Sequence, residues 1–351
     1  MLTLVTGSSG LIGSEAVAFF DAKGFDVVGV DNNMRRDLFG PKGDTTLNRQ
    51  RLERECRRFT HRTLDIRDRE AMDTLFRDLP IELVIHSAAQ PSHDLAASRP
   101  FDDFEINAMG TLNVLEATRR HRPDAVFIHV STNKVYGDGP NAIPLTELPT
   151  RFDFADPAFE QGIDETFSID RTTHSLFGAS KAAGDLMAQE YGRYFGMKTG
   201  VFRGGCLTGP QHAGVELHGF LNYLIHCAMN ERAYTVFGYK GKQVRDQIHC
   251  HDVISAFWEF AQSPRPGEVY NIGGGKANAA SLSECVDMVA RTTGKRLQTT
   301  YDPRNRTGDH ICYYTNMQKF RAHYPSWQQT YSLEAIVKQM CDQQVSMRGV
   351  A

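Results

Sequence analysis

The stretch TGSSGLIG, residues 6–13, sets Gly7, Gly10 and Gly13 between a short apolar run and a helical pattern opened by Leu11 and Ile12. Glycines at that spacing allow a tight turn, close approach of backbone to a pyrophosphate, and a helix N-terminus whose N–H groups face phosphate oxygens. Asp31 ends the next apolar run, 18 residues after Gly13, with Asn32 beside it. A carboxylate there accepts hydrogen bonds from adenosine ribose hydroxyls and repels a 2′-phosphate. NAD is therefore expected over NADP, although Arg35 and Arg36 keep NADP open.

Elements that would position these groups follow from periodicity. LTLVTG (2–7), DVVGVD (26–31), FTHRTLDI (59–66), ELVIHSAA (82–89), AVFIHVST (125–132) and KTGVFRGG (198–205) read as six strands. Helical patterns lie near 11–22, 68–77, 101–119 and 176–194. Near-continuous apolar strands separated by helices predict an α/β fold, a Rossmann-type doubly wound parallel sheet covered on both faces. Ligands of such sheets bind at the carboxyl ends of the strands. Asp65 and Ile66 then fall where an adenine ring would lie, and Ala88, Ala89 and Gln90 beside the pyrophosphate and nicotinamide ribose. The charged stretch 34–58 reads as a solvated loop and helix. After residue 205 the rhythm turns irregular. We expect a dinucleotide-binding domain over 1–205 and a smaller, partly interleaved substrate lobe over 206–351.

Composition bounds the remaining classes. Hydrophobic residues make up 41% and charged ones 23%, as in an ordinary globular protein. A net charge of −3 gives no footprint for nucleic acid or an anionic membrane surface. No apolar run reaches about 18 residues, and a strand pattern from Leu2 leaves no room for a signal peptide. The seven cysteines are scattered without a CxxC, which suggests free thiols in a reducing, cytoplasmic compartment. His249 and His251 in IHCHDV lack a convincing third and fourth ligand, so no metal site is expected.

The motifs TGSSGLIG, VIHSAAQ, FEINAMGTLNVLEA (104–117), STNKVYGD (131–138), SLFGASK (175–181), GKQVRD (241–246), NIGGG (271–275) and RTGD (306–309) cover nearly the whole chain. On them the chain resembles the extended short-chain dehydrogenase/reductases, specifically the nucleotide-sugar epimerases and dehydratases. That resemblance implies an NAD-dependent epimerase of a nucleoside diphosphate sugar, working through a transient ketone and pairing as a homodimer through the helices at 101–119 and 176–194. It implies cofactor contacts from Asn107, Ser131 and Lys181. It also implies substrate contacts from Gln90, Thr132, Asn133, Gln243, Arg245 and Arg306. The two arginines would offer paired donors to phosphate oxygens. Where the dehydratases carry Asp-Glu, an acid/base pair for removing water, this chain has Asn133 and Lys134. Dehydration or decarboxylation of a similar substrate stays open as an alternative.

The chain departs from the family at one place. The family's acid/base is a tyrosine four residues before the lysine, one helical turn away on the same face. Phe177 stands there, four residues before Lys181. Tyr136 after the fifth strand, His174 two turns before Lys181, Cys206 after the sixth strand, and a water relay through Thr132 are the candidate substitutes. A silent protein that binds NAD and a nucleotide sugar is the reading from a different class.

Overall fold

The computed structural model describes residues 1–211, 219–304 and 309–348. Its centre is a seven-stranded, wholly parallel sheet. Five strands come from the first 132 residues: β1 (Leu2–Thr6), β2 (Asp26–Val30), β3 (Phe59–Arg62), β4 (Ile81–His86) and β5 (Val126–Thr132). In space the order runs β3, β2, β1, β4, β5, then the strands Lys198–Gly204 and Glu268–Ile272. The order reverses between β1 and β4, which opens a crevice at their carboxyl ends.

Strand residues alternate between two buried layers because both faces are covered. Val5, Val27, Ile85, Ile128 and Phe202 join one core with the helices α1 (Leu11–Ala22) and Cys250–Gln262. Leu4, Val28, Val84, Phe127 and Val201 join the other. That second face carries α4 (Arg69–Asp78), which follows α2 (Met34–Phe39) and α3 (Thr46–Glu55) in the chain. Beyond β4 come α5 (His93–Ser98), α6 (Pro100–Phe104), a π-helical turn over Glu105–Met109, α7 (Gly110–His121) and the long α8 (Ser175–Phe195). A third core lies under the helices Phe220–Met229, Leu282–Thr293 and Leu333–Arg348.

Two expectations about elements need correction. The third strand stops at Arg62 rather than Ile66. Asp65 there accepts from Arg67 N at 2.9 Å and Asp68 caps α4 through Ala71 N at 3.0 Å, so the backbone turns into a helix entry. The sheet also takes a strand from beyond residue 205. Glu268–Ile272 pairs in register with Gly200–Gly204 as a seventh strand where six were expected, and the helix Cys250–Gln262 packs on α1.

Candidate active site

A cleft of about 550 Å³ runs along the carboxyl edge of the sheet and under the C-terminal helices, within the usual range for a small-molecule site, roughly 300–1,000 Å³. Its floor is the glycine turn. Gly7 sits at φ +68°, and a Cβ there would meet Ala88 N at 2.8 Å. A Cβ on Gly13 would fall 2.0 Å from Gly7 O. Only glycine permits the β1 turn, α1 and the β4 loop to close this tightly, and the result is a bare backbone cradle at a helix N-terminus.

Asp31 is held at the end of β2 with Oδ2 accepting from Ser9 N at 3.0 Å and Oδ1 from Asn33 N at 2.8 Å. Gly10, Leu11, Ile12, Asn32, Asp65, Ile66, Ala88 and Ala89 line the same cleft. This donor and acceptor set fits the adenosine and pyrophosphate of a dinucleotide. The segment expected to be solvated is part of the wall: Met34, Arg35, Phe39, Thr45 and Asn48 line the cleft, and Asn48 Nδ2 donates to Ser9 O at 2.8 Å. Burial holds the Arg35 guanidinium below its ordinary pKa.

At the other end of the crevice, Ser131, Thr132, Asn133 and Lys134 leave β5 into the cleft, facing Phe177 and Lys181 from α8. Lys181 Nζ donates to Val130 O at 2.8 Å. Burial pushes its pKa down to about 8, against the pull of Asp185 and Asp103. Ser131 Oγ donates to Asp185 Oδ2 at 2.6 Å.

The third region is polar. Arg245 is one-tenth exposed and donates to Asp309 Oδ1 at 3.0 Å and to His310 O. Lys134 Nζ lies 3.5 Å from the same Asp309 oxygen, and burial pushes its pKa down to about 8. Two cations thus share one carboxylate at the cleft wall, leaving net positive charge for an anionic ligand. Gln243 and Gln247 line this part as well. Among the described residues, Gln243 Oε1 and both amide atoms of Gln247 are buried without a hydrogen-bond partner.

Several residues singled out from sequence lie elsewhere. Tyr136 is fully buried, its hydroxyl donating to Asn271 Oδ1 at 2.8 Å and accepting from Arg203 at 3.1 Å. Burial pushes its pKa up to about 12, and it does not line the cleft. His174 precedes α8 outside the lining residues, because the helix starts only at Ser175. Gln90 and Asn107 are buried behind the wall: Gln90 Nε2 donates to Asp103 at 2.7 Å, and Asn107 Nδ2 to Asp103 at 3.0 Å and Ser180 Oγ at 3.1 Å. They brace α8 against the β4 loop. Cys206 does line the cleft, with burial pushing its thiol up to about 11. Arg306 lies outside the described residues. Sequence reasoning missed His93 and Gln247. His93 follows a strand's carboxyl end, the rule that found Ala88 and Ala89. Gln247 stands two residues after Arg245 on the same strand face, so period two would have found it.

His249 pairs with Gln339 at 2.6 Å and His251 with Glu15 at 3.4 Å; among the described residues, no three His, Cys, Asp or Glu side chains are grouped to hold a metal ion. Among the described residues, no helix is long and apolar enough to cross a membrane.

A model of the NAD dependent epimerase/dehydratase family matches residues 3–273. The chain is 32% identical to CDP-paratose 2-epimerase of Salmonella typhi over 82% of this chain and 83% of that protein. It is 30% identical to dTDP-glucose 4,6-dehydratase 1 of Escherichia coli, over 78% of this chain and 72% of that one. Among solved structures, UDP-glucose 4-epimerase of Thermus thermophilus in complex with NAD matches with a TM-score of 0.80 at 25% identity, covering 100% of both chains.

Proposed function

The chain belongs to the NAD-dependent epimerase/dehydratase family and its cofactor is NAD, and from that premise we propose that it epimerises a nucleoside diphosphate sugar through a transient ketone. Bound in the cleft, NAD would supply a reversible hydride acceptor for one sugar carbon, chemistry that leaves no net oxidation when the transient ketone is reduced on its other face. Asp31 and the glycine cradle hold the adenosine and pyrophosphate end. Lys181, fixed to Val130 O, would grip the nicotinamide ribose. Arg245 and Lys134 attract the diphosphate, and Thr132 and Asn133 border the sugar.

One observation carries epimerisation over dehydration. The β5 exit presents Thr132, Asn133 and Lys134, with no carboxylate to protonate a leaving hydroxyl, and the nearby Asp309 is engaged by Arg245 and Lys134. The similarity to a CDP-paratose 2-epimerase supports the same reading. Exposed Phe101, Phe104, Leu186, Tyr194 and Phe195 on α6 and α8 belong to the proposal as faces for a homodimer, checked by sedimentation.

A panel of CDP-, UDP-, GDP- and dTDP-sugars, followed by mass spectrometry and NMR, tests the reaction. The expected product has unchanged mass and one inverted carbon. A product lighter by one water, or binding without conversion across the panel, would refute it.

A further inference from the structure

Phe177 leaves the cleft beside Lys181 without a phenol, yet the wall there is not apolar. His93, the first residue of α5, lines the cleft directly against Phe177. The two rings meet edge to face, with centroids 4.9 Å apart and planes at 62°. His93 Nδ1 lies 2.9 Å from Ser175 Oγ, and that hydroxyl also accepts from Gly178 N at 3.3 Å. Ser175 holds this position from φ +60°, a left-handed conformation that costs a non-glycine residue on the order of 1–3 kcal/mol. Strain of this kind persists where surrounding contacts over-determine it, and here its result is a hydroxyl fixed on an imidazole.

Among the described residues, the other titratable groups lining the cleft nearby are Asp94 on His93's own helix, Lys181 on α8, Lys134 after β5, and Cys206. Lys134 is engaged by Asp309 on the phosphate side, and Lys181 by Val130 O. Cys206 keeps its proton through neutral pH because burial pushes its thiol up. Asp94 is exposed at the cleft mouth. An imidazole is the side chain whose ordinary titration, about 6.5, suits two-way proton transfer near neutrality.

We propose that His93, oriented by Ser175, is the acid/base of this enzyme and does the work of the phenol that Phe177 lacks. The inference rests on the epimerase reading above. With Nδ1–H donated to Ser175 Oγ, Nε2 accepts the proton of the sugar hydroxyl as its C–O bond becomes a carbonyl. The hydride leaves the same carbon for NAD. Return of hydride to carbon and of the proton from Nε2 to oxygen restores an alcohol of inverted configuration, so protons and electrons balance within one turnover.

The test uses full-length, NAD-loaded protein. His93→Gln should lower kcat by about 10²-fold or more, the usual size of one acid/base, with retained NAD and nucleotide-sugar Kd unchanged. The acid limb of the kcat/KM–pH profile should disappear with it. Ser175→Ala should keep NAD, lower kcat by about 10-fold, and shift the titration of the His93 ring signals followed by NMR. Phe177→Tyr placed in the His93→Gln protein should recover at least part of the lost rate. A His93→Gln enzyme within threefold of the unaltered rate, with the same pH profile, overturns the role of His93 while the epimerase reading stands. An unaltered protein inert toward every sugar of the panel overturns the reading and this role together. If His93→Gln fails to fold, Ser175→Ala decides: unchanged rate and unchanged imidazole titration overturn the proposal.

Discussion

Asp185 and Arg203 face each other in a two-point ion pair, Nε to Oδ2 at 3.0 Å and Nη2 to Oδ1 at 2.9 Å, buried between α8 and the strand Lys198–Gly204. Everything that could have freed Tyr136 for catalysis ends on this pair. Arg203 Nη1 donates to the Tyr136 hydroxyl, which donates onward to Asn271, while Ser131 closes the chain on Asp185. The network ties Ser131 at the end of β5 to Asp185 on α8.

Removing one partner of a buried pair strands the other charge. Asp185→Asn should therefore cost about 3–5 kcal/mol in denaturant unfolding. Tyr136→Phe should cost about 1–3 kcal/mol, leaving two buried groups short of a partner, with kcat unchanged. A Tyr136→Phe enzyme slowed 10-fold or more would show that the hydroxyl reaches the substrate after all.

The glycine cradle makes a sharper claim about the cofactor. Gly13→Ala puts a methyl 2.0 Å from Gly7 O, so the β1 turn must open. Purified Gly13→Ala protein should carry little NAD, whereas Asp31→Ala should still bind NAD but discriminate poorly against NADP. Titration of both variants with both cofactors decides. Equal affinity of the unaltered protein for NAD and NADP would remove the role given to Asp31.

Arg245 and Lys134 are expected to hold the substrate's diphosphate. Arg245→Ala should weaken nucleotide-sugar binding by about 2–5 kcal/mol with NAD in place, because a largely buried charge-assisted contact is lost. Lys134→Met should act in the same direction. Calorimetry that finds unchanged affinity in both variants places the phosphate site elsewhere.

Acid stability reports the buried histidines. Burial, then Lys181, pushes His86 down to about 3, and His129 and His310 are also held well below the ordinary imidazole range by burial. Each stays neutral when folded and binds a proton when unfolded below about 6.5. Their contribution is thus present above pH 6.5 and is lost as pH falls from there toward the folded values, at about 1.4 kcal/mol per unit per histidine. His129 has neither ring nitrogen paired among the described residues. His129→Leu should leave stability at pH 8 unchanged or higher and flatten the acid slope by one proton. An unchanged slope between pH 4 and 6 would contradict this.

The dinucleotide half was legible in the residues because its signals are local. A glycine trio, a strand-ending carboxylate and alternating apolar runs each act within a few residues, and backbone sterics leave them one reading. β1 and β2 end within a residue of where those patterns predict, whereas β4 stops at His86, short of the expected Ala89, and Ala88 and Ala89 follow it along the cleft with Asp31. The substrate half depends on which way a side chain turns after the chain has closed on itself. Tyr136 and Cys206 both follow strand ends, yet the Asp185–Arg203 pair holds one hydroxyl away from the cleft while the other residue faces in. Lys134 meets Asp309, and Phe177 meets His93, across long stretches of sequence whose separation carries no periodic signal. Composition and spacing could name the cofactor; only packing of the β4 loop, α5 and α8 could decide which titratable group stands beside Phe177.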